Sequence, residues 1–383
     1  MNEKTGNKPG GSGFKLGPWY KRIPGRVLDG IAGAAGPFSS IVAIVIGLLV
    51  GFIVLIISNP ANAFFGIGKI LGGGLGSSTD FGNVLYYATP IIMTGLSVSF
   101  AFRTSLFNIG ASGQFIMGAL GAVFVGVYGT GLGSFQWIAA LLTAMIMGAL
   151  WAVIPGLLQA YRNVNIVISC IMTNYIGTYF VNMMVRSYLL NTMAGDRALG
   201  VAETANIPKF GLDKLFPVSM VGGGIIIAII LAVVIHILLS KTTFGFELKA
   251  CGFNRYASRY AGINEKRCIV LSMLISGALA GIGGGLMYLA GSGKYILIED
   301  VIAPEGFTGI SVALLGMSHP IGTLFAGLFI GYIIQGGSQM QLAGYVPEII
   351  DIITAVIIYF AAFALVLRSV LQRIRMKRRD DRT

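Results

Sequence analysis

The sequence predicts an all-α polytopic membrane protein with about ten transmembrane helices. Three observations carry this reading. The 383 residues are 55% hydrophobic and only 11% charged, with a mean hydropathy of +0.80, whereas a soluble domain carries about a quarter charged residues. Several stretches of roughly 17 residues or more lack any charge, which is enough to cross a hydrocarbon core about 30 Å thick. Lysine and arginine crowd into the segments on one side of those stretches, as they do in the loops of helical membrane proteins. A transmembrane barrel would instead show short segments of alternating hydropathy.

In chain order, residues 1–36 are polar and Gly-rich. They have no short apolar core followed by a small-residue cleavage site, so they read as a cytoplasmic tail rather than a cleaved signal. A membrane domain follows over 37–367, with spans expected at about 37–57, 81–101, 110–128, 135–160, 164–185, 217–239, 268–291, 303–316, 320–336 and 346–367. The eighth is too short for a full crossing. The breaks near Asn108 and His319 point to bent or re-entrant pieces, which membranes tolerate where the backbone lines a cavity. Residues 368–383 form a basic tail suited to contact with anionic lipid.

Charge placement orients these spans. Only Lys69, Arg186, Arg197, Lys209, Lys214 and Lys294 fall on one side, and the rest of the 27 Lys and Arg fall on the other. The positive-inside rule then puts both termini and loop 240–267 in the cytoplasm, and loop 186–216 outside. The same rule assigns the net charge of +12 to membrane topology, with no need of nucleic acid. Gly110–Gly126 and Gly316–Gly331 each begin with a Gly-rich break and lead into a small-residue helix. With the second and seventh spans running in opposite directions, the halves read as an inverted repeat; chance pairing in a Gly-rich chain is the alternative. Gly277, Gly281 and Gly285, like Gly327 and Gly331, are spaced for close helix packing.

Enzyme signatures are missing. There is no HExxH, no GxSxG, and only two histidines. Gly291-Ser-Gly-Lys294 superficially suggests a phosphate loop. Tyr288 stands where its first glycine belongs, and Tyr295 where Ser or Thr would meet magnesium. Cys170, Cys251 and Cys268 match no metal or redox spacing. Pro304-Glu305 fits a helix start, with proline at the first position and an acid facing the dipole. His236 reads as structural, and Glu348 and Asp351 as solvated residues at the mouth of the last span.

The most distinctive polar stretch is Lys241–Arg267. Ala250, Gly252, Ala257, Ala261 and Gly262 lie among Lys249, Arg255, Arg259, Lys266 and Arg267. Physics alone allows two readings: a short helix whose small face seats in a partner, or an ordinary basic loop. Its residues carry a resemblance. Phe246 through Ile263 is similar to the cytoplasmic coupling loop of bacterial ABC-importer permeases of the branched-chain amino acid, ribose and nucleoside family. The matching positions are Ala250, Gly252, Asn254, Ala257, Ala261, Gly262 and Ile263. Phe102–Gln114, Val164–Ile176 and Glu305–Pro320 resemble the nucleoside type, and the similarity runs from about 81 to 365. Ser112 and Ile166 depart from the family, which often has glutamate at both places.

The resemblance implies a transport subunit without its own ATPase. It would form the translocation pathway for nucleosides and work with separate ABC ATPase subunits, a second permease subunit and an extracytoplasmic binding protein docking on loop 186–216. It implies no cofactor in this chain, ATP being bound by the partner, and a bacterial plasma membrane location. The ATPase contact would comprise Glu247, Ala250, Gly252, Asn254, Ala257, Ala261, Gly262 and Ile263. The pathway residues expected from the broken elements are Phe107, Asn108, Gln114, Asn174, Tyr175, Ser318 and His319. Amides can pair with a base or ribose and aromatic rings can stack, though polar side chains in spans often only bond neighbouring helices. Simple sugars or branched-chain amino acids remain as substrates, as does an ion-driven secondary transporter. The near absence of acids inside the spans argues against ion coupling.

Overall fold

Small and hydroxylated residues decide which helices sit at the centre of this protein. The computed structural model describes residues 37–360, apart from 347, 350, 354, 357 and 358. Residues 1–36 and 368–383 therefore lie outside the described residues, and the span expected at 346–367 lies partly outside. The chain divides into a large unit, Ile44–Ala362, and a small one made of the two termini.

The helices are α1 (Pro37–Ser58), α2 (Ala63–Gly72), α3 (Ser78–Arg103), α4 (Ala111–Tyr128), α5 (Gln136–Arg162), α6 (Ile166–Met184), α7 (Gly224–Lys241), α8 (Thr243–Phe253), α9 (Arg255–Tyr260), α10 (Glu265–Tyr288), α11 (Pro304–Leu315) and α12 (Pro320–Met340). Seven of those described are long and apolar enough to cross a membrane: α3, α4, α5, α6, α7, α10 and α12. Of the roughly ten spans expected, seven are matched by helices of sufficient length and apolarity among the described residues. The expected eighth span is the 12-residue α11, only about 18 Å long at 1.5 Å per residue. The short α2, with Phe64 and Phe65 exposed, was not expected.

Burial sorts the helices. The apolar stretch of α3 is 89% buried, whereas that of α5 is 22% and that of α7 33%. α3 carries Thr89, Thr94, Ser97 and Ser99, all buried; Thr89 donates back to the Leu85 carbonyl of its own helix, and the other three bond to other segments. Ser97 Oγ lies 2.9 Å from Ser276 Oγ, and Ser99 Oγ 2.7 Å from Thr323 Oγ1. α5 and α7 present Leu142, Ile146, Leu150, Ile229, Ile230 and Val233 outward, as lipid-facing helices should.

Two glycine crossings build the core. Gly277 and Gly281 of α10 meet Gly148 and Ala144 of α5 so closely that an added Cβ would strike backbone atoms. Gly118 of α4 meets the backbone of Gly281 on the same helix. Gly327 and Gly331 of α12 sit likewise against Ile92 and Ala88 of α3. Without water to expel, such van der Waals contact is what joins helices in lipid.

α3 and α10 pack antiparallel, with Thr104 against Ser272 and Ser97 against Ser276. α10 packs on α5 and α4, while α3 packs on α12 and α11. Exchanging α3 with α10, α4 with α11 and α5 with α12 preserves this pattern, which supports the inverted halves. It also corrects the expected glycine match: packing pairs α4 with α11, rather than with α12.

The crossings make a sharp stability prediction. Gly281→Val should cost at least the ~1–3 kcal/mol typical of an overpacked core. Gly68→Ala, with nothing within 4 Å of the new methyl, should be neutral. Thermal denaturation of the two variants in detergent checks the contrast.

Candidate functional site

Two helices, α4 and the short α11, begin side by side inside the bundle. After α3 ends at Arg103, residues 104–110 turn back inward, with Ser105 at φ +54°, before α4 starts. Asn108 is fully buried, and its Nδ2 donates to Gln114 Oε1 at 2.8 Å and to Ser276 Oγ at 2.8 Å. Gln114 Nε2 returns a bond to Asn108 Oδ1 at 3.0 Å. Asn174 on α6 accepts from the Gly113 amide at 2.9 Å and donates to the Ile109 carbonyl at 3.0 Å. Thr94 Oγ1 donates to the Glu305 carbonyl at 2.9 Å, which places the start of α11 midway along α3. Gly306 of α11 has no room for a Cβ because Ser112 of α4 occupies the space. Ser112 Oγ is buried without a partner; a glutamate here would have to enter this contact between the two N-termini.

These contacts show where the expected pathway residues stand. Asn108, Gln114 and Asn174 are 0, 1 and 1% exposed; the first two bond each other, Asn108 also bonds Ser276, and Asn174 bonds the re-entrant backbone. Phe107 is half-buried, its ring 5.1 Å from that of Phe102. Ser318 and His319 lie at the basic end of the bundle, where Arg103 Nε donates to the Ser318 carbonyl at 2.9 Å. His319 packs on His236, ring centroids 5.0 Å apart. Burial, the neighbouring His236 and Arg103 hold its pKa below the ordinary histidine value. The structure thus brings Asn108 and Gln114 together, with Asn174 on the same segment, and leaves Ser318 and His319 apart from them.

Tyr175 does face outward, at 47% exposure, with Met172, Ile176, Tyr179 and Met183 on the same side of α6. Tyr175 is the central residue of that helix, a depth where tyrosine is out of place against lipid tails and suits a polar path or a protein partner. Beside this face, α11 exposes Phe307. Two cavities, of about 160 and 180 Å³, flank the start of α11, and both are lined by Lys294 and Glu305. Sequence reading took Glu305 as a helix start and Lys294 as part of a failed phosphate loop. An acid within a broken helix was the signal available.

At the basic end, three N-caps shape the polar loop. Thr242 Oγ1 accepts from the Gly245 amide at 3.0 Å, Asn254 Oδ1 from Ala257 at 3.1 Å, and Asn264 Oδ1 from Arg267 at 3.1 Å. α8 buries Leu248 and Cys251, and Gly252 sits directly under the Arg103 carbonyl. Ser105 Oγ donates to the Gly252 carbonyl at 2.6 Å. Gly252, half-buried, is therefore packed on its inner side against the end of α3. Ala250 and Ile263 are half-buried, while Glu247, Asn254, Ala257, Ala261 and Gly262 are exposed. The projecting side chains are aromatic: Phe253 is 91% exposed and Tyr260 96%, with Tyr256 between them. Lys266 lies 4.9 Å over the Tyr161 ring, which brings the end of α5 to the same side.

At the opposite end, loop 186–216 is ordered against segment 289–303. The Ala198 amide donates to Ile296 and the Ile298 amide to Asp196, each at 2.8 Å. Arg197 lies over the Tyr295 ring at 4.8 Å. Arg186, Asp196, Glu203, Lys209, Asp213 and Lys214 remain exposed.

Interrupted helices abutting inside the bundle, a tyrosine-bearing exposed face on α6 and a capped basic-end loop fit a multi-pass membrane protein of the transport class. Residues 81–362 match the family described as branched-chain amino acid transport system / permease component, and the chain belongs to that family. It is 37% identical over 338 residues to the guanosine ABC transporter permease protein NupP of Bacillus subtilis, covering 88% of this chain and 96% of that one. The nucleoside ABC transporter permease protein NupB of Lactococcus lactis is 35% identical over 90% of this chain and 95% of its own length. The glucose ABC transporter permease protein TsgB13 of Haloferax volcanii is 32% identical over 84% and 85%. No solved structure matches the chain.

Asn108→Leu should strand the Gln114 amide in the core and lower stability by about 1–3 kcal/mol. Tyr175→Leu, on an exposed face, should leave stability unchanged. Denaturation midpoints of the purified variants decide between them.

Proposed function

We propose that this chain is the membrane-spanning subunit of an ATP-binding-cassette importer for nucleosides. The observation that carries the reading is the likeness to permeases named for guanosine and nucleosides over some nine-tenths of the chain. The glucose permease at 32% identity keeps a sugar as the second reading. In this proposal the basic end faces the cytoplasm with both termini, and the face on α6 and α11 lines the path against a second permease subunit. The exposed charges of loop 186–216 receive a binding protein. The chain itself holds no ATP.

Phe253, Tyr256 and Tyr260 are the contact with the ATPase in this reading. They follow a spacing of three and four residues on the α8–α9 corner, and large exposed aromatics at a cytoplasmic surface are costly unless a partner covers them. Gly252 serves beneath them, as the seat that fixes α8 to the end of α3.

The test is reconstitution of the chain with its ATPase, second permease and binding protein in vesicles. ATP-dependent uptake is then measured across nucleosides, hexoses and branched-chain amino acids. Nucleoside uptake is expected. Uptake of hexose alone would establish the second reading, and uptake by the isolated chain on an ion gradient would overturn both. Alanine at Phe253, Tyr256 and Tyr260 together should weaken ATPase co-purification by at least about 100-fold, as loss of hot-spot aromatics does. Gly252→Phe should abolish uptake by displacing α8, while the protein stays in the membrane.

A further inference from the structure

Segment 289–303 leaves the end of α10, turns at Gly291 and Gly293 with φ of +70° and +71°, and re-enters the bundle to start α11. It is fastened along its length. Tyr86 Oη and Ser292 Oγ are 2.8 Å apart, and Asn182 Nδ2 donates to the Glu299 carbonyl at 2.9 Å. The segment therefore fixes Lys294 near one end and Glu305 just past the other. One of the flanking cavities reaches α6 at Thr178 and Asn182; the other reaches Tyr86 and Tyr87 of α3.

Glu305 stands at a depth where a charge is expensive and is functional by default. Its helix N-terminus offsets part of that cost. Among the described residues, its carboxylate makes no hydrogen bond or ion pair, and the only partner of Lys294 Nζ is Met287 Sδ at 4.0 Å. The two charges are near enough to influence one another without closing a salt bridge, and both border open space. Each cavity holds Lys294 and Glu305 with one further carboxylate, Glu299 in the first and Asp351 in the second, beside tyrosine rings; this lining favours a neutral ligand whose hydroxyl donors meet the carboxylates and whose acceptor meets the ammonium. The surplus carboxylate disfavours an anion, and Lys294 supplies a donor that a cation cannot use.

We propose that Glu305 and Lys294 are the recognition pair for a neutral ribonucleoside in transit. The carboxylate accepts the two vicinal ribose hydroxyls, and the ammonium donates to a ring nitrogen or carbonyl oxygen of the base. Two carboxylate oxygens match a vicinal diol, and charge-assisted hydrogen bonds are the strong kind. Tyr86 and Tyr87 offer aromatic surface to the base. The inference rests on the nucleoside reading above and assigns residues to it.

The experiment uses the complete reconstituted transporter, with its binding protein saturated so that turnover alone is compared. Guanosine and 2′,3′-dideoxyguanosine are the probes. In the unaltered protein guanosine should turn over at least about tenfold faster, because a site built to bind hydroxyls disfavours the analogue lacking them. Glu305→Gln should slow guanosine and leave the dideoxy compound little changed, collapsing the ratio. Glu305→Asp, which keeps the carboxylate, should retain most of it. Lys294→Met should slow both probes alike, since both carry the same base. An unchanged ratio in Glu305→Gln, or identical behaviour of the Gln and Asp variants, would overturn the proposal. Failure of the unaltered transporter to move any nucleoside would instead defeat the functional reading on which it stands.

Discussion

Everything in this bundle follows from the need to satisfy backbone groups where no water can. Two chain segments stop being helical inside the bundle, before α4 and before α11, and each exposes amides and carbonyls that the lipid cannot pair. The Asn174 side chain takes the Gly113 amide and the Ile109 carbonyl, and Thr94 caps the Glu305 carbonyl. The reciprocal pairing of Asn108 with Gln114, anchored on Ser276, then fixes the first break in one conformation. With these bonds the breaks are stable features of the fold.

That constraint explains the composition of the central helices. A break can be bonded only by side chains that reach it, so α3, α6 and α10 must carry Thr94, Asn174 and Ser276 inward and approach closely. Close approach in turn requires glycine at the crossings of α10 with α5 and of α12 with α3. The peripheral α5 and α7 bear no such burden on their outward faces, which are leucine and isoleucine. Fifty-five glycines therefore reflect backbone proximity more than flexibility.

Much of this was legible in the sequence. Charge-free runs gave the spans to within a few residues, as for α4 and α11, whereas the caps at Thr242, Asn254 and Asn264 emerged only from the structure. The breaks near Asn108 and His319 were legible too. What could not be read was direction. An amide in a span looks the same whether it faces a path or a neighbouring segment, and only the partner distances show Asn108, Gln114 and Asn174 bonded inside the bundle. Gly252 was read as part of an outward face because small size suits both a docking surface and a buried seat. Glu305 was masked by a competent local explanation, since a helix start accounts for an acid there without any reference to depth.

The polar loop and the mid-bundle breaks are joined by a short chain of bonds. Gly252 is seated on the Arg103 carbonyl, and Ser105 donates to Gly252, so α8 holds the turn that leads into α4. Arg103 in turn holds the Ser318 carbonyl in the turn that leaves α11, where Met317 and Ser318 both have positive φ. Each of α4 and α11 is thus tied at its basic-end turn to the same arginine. A displacement of α8 of even one or two ångströms must break one of these bonds or move both turns with it, because packed interfaces switch between arrangements and do not deform continuously. The two helices meet at Ser112 and Gly306 with no space between them, so movement of the turns is felt first at that contact and at Glu305 beside it. A force applied at the aromatic corner is delivered in this way to the cavities that Glu305 and Lys294 border.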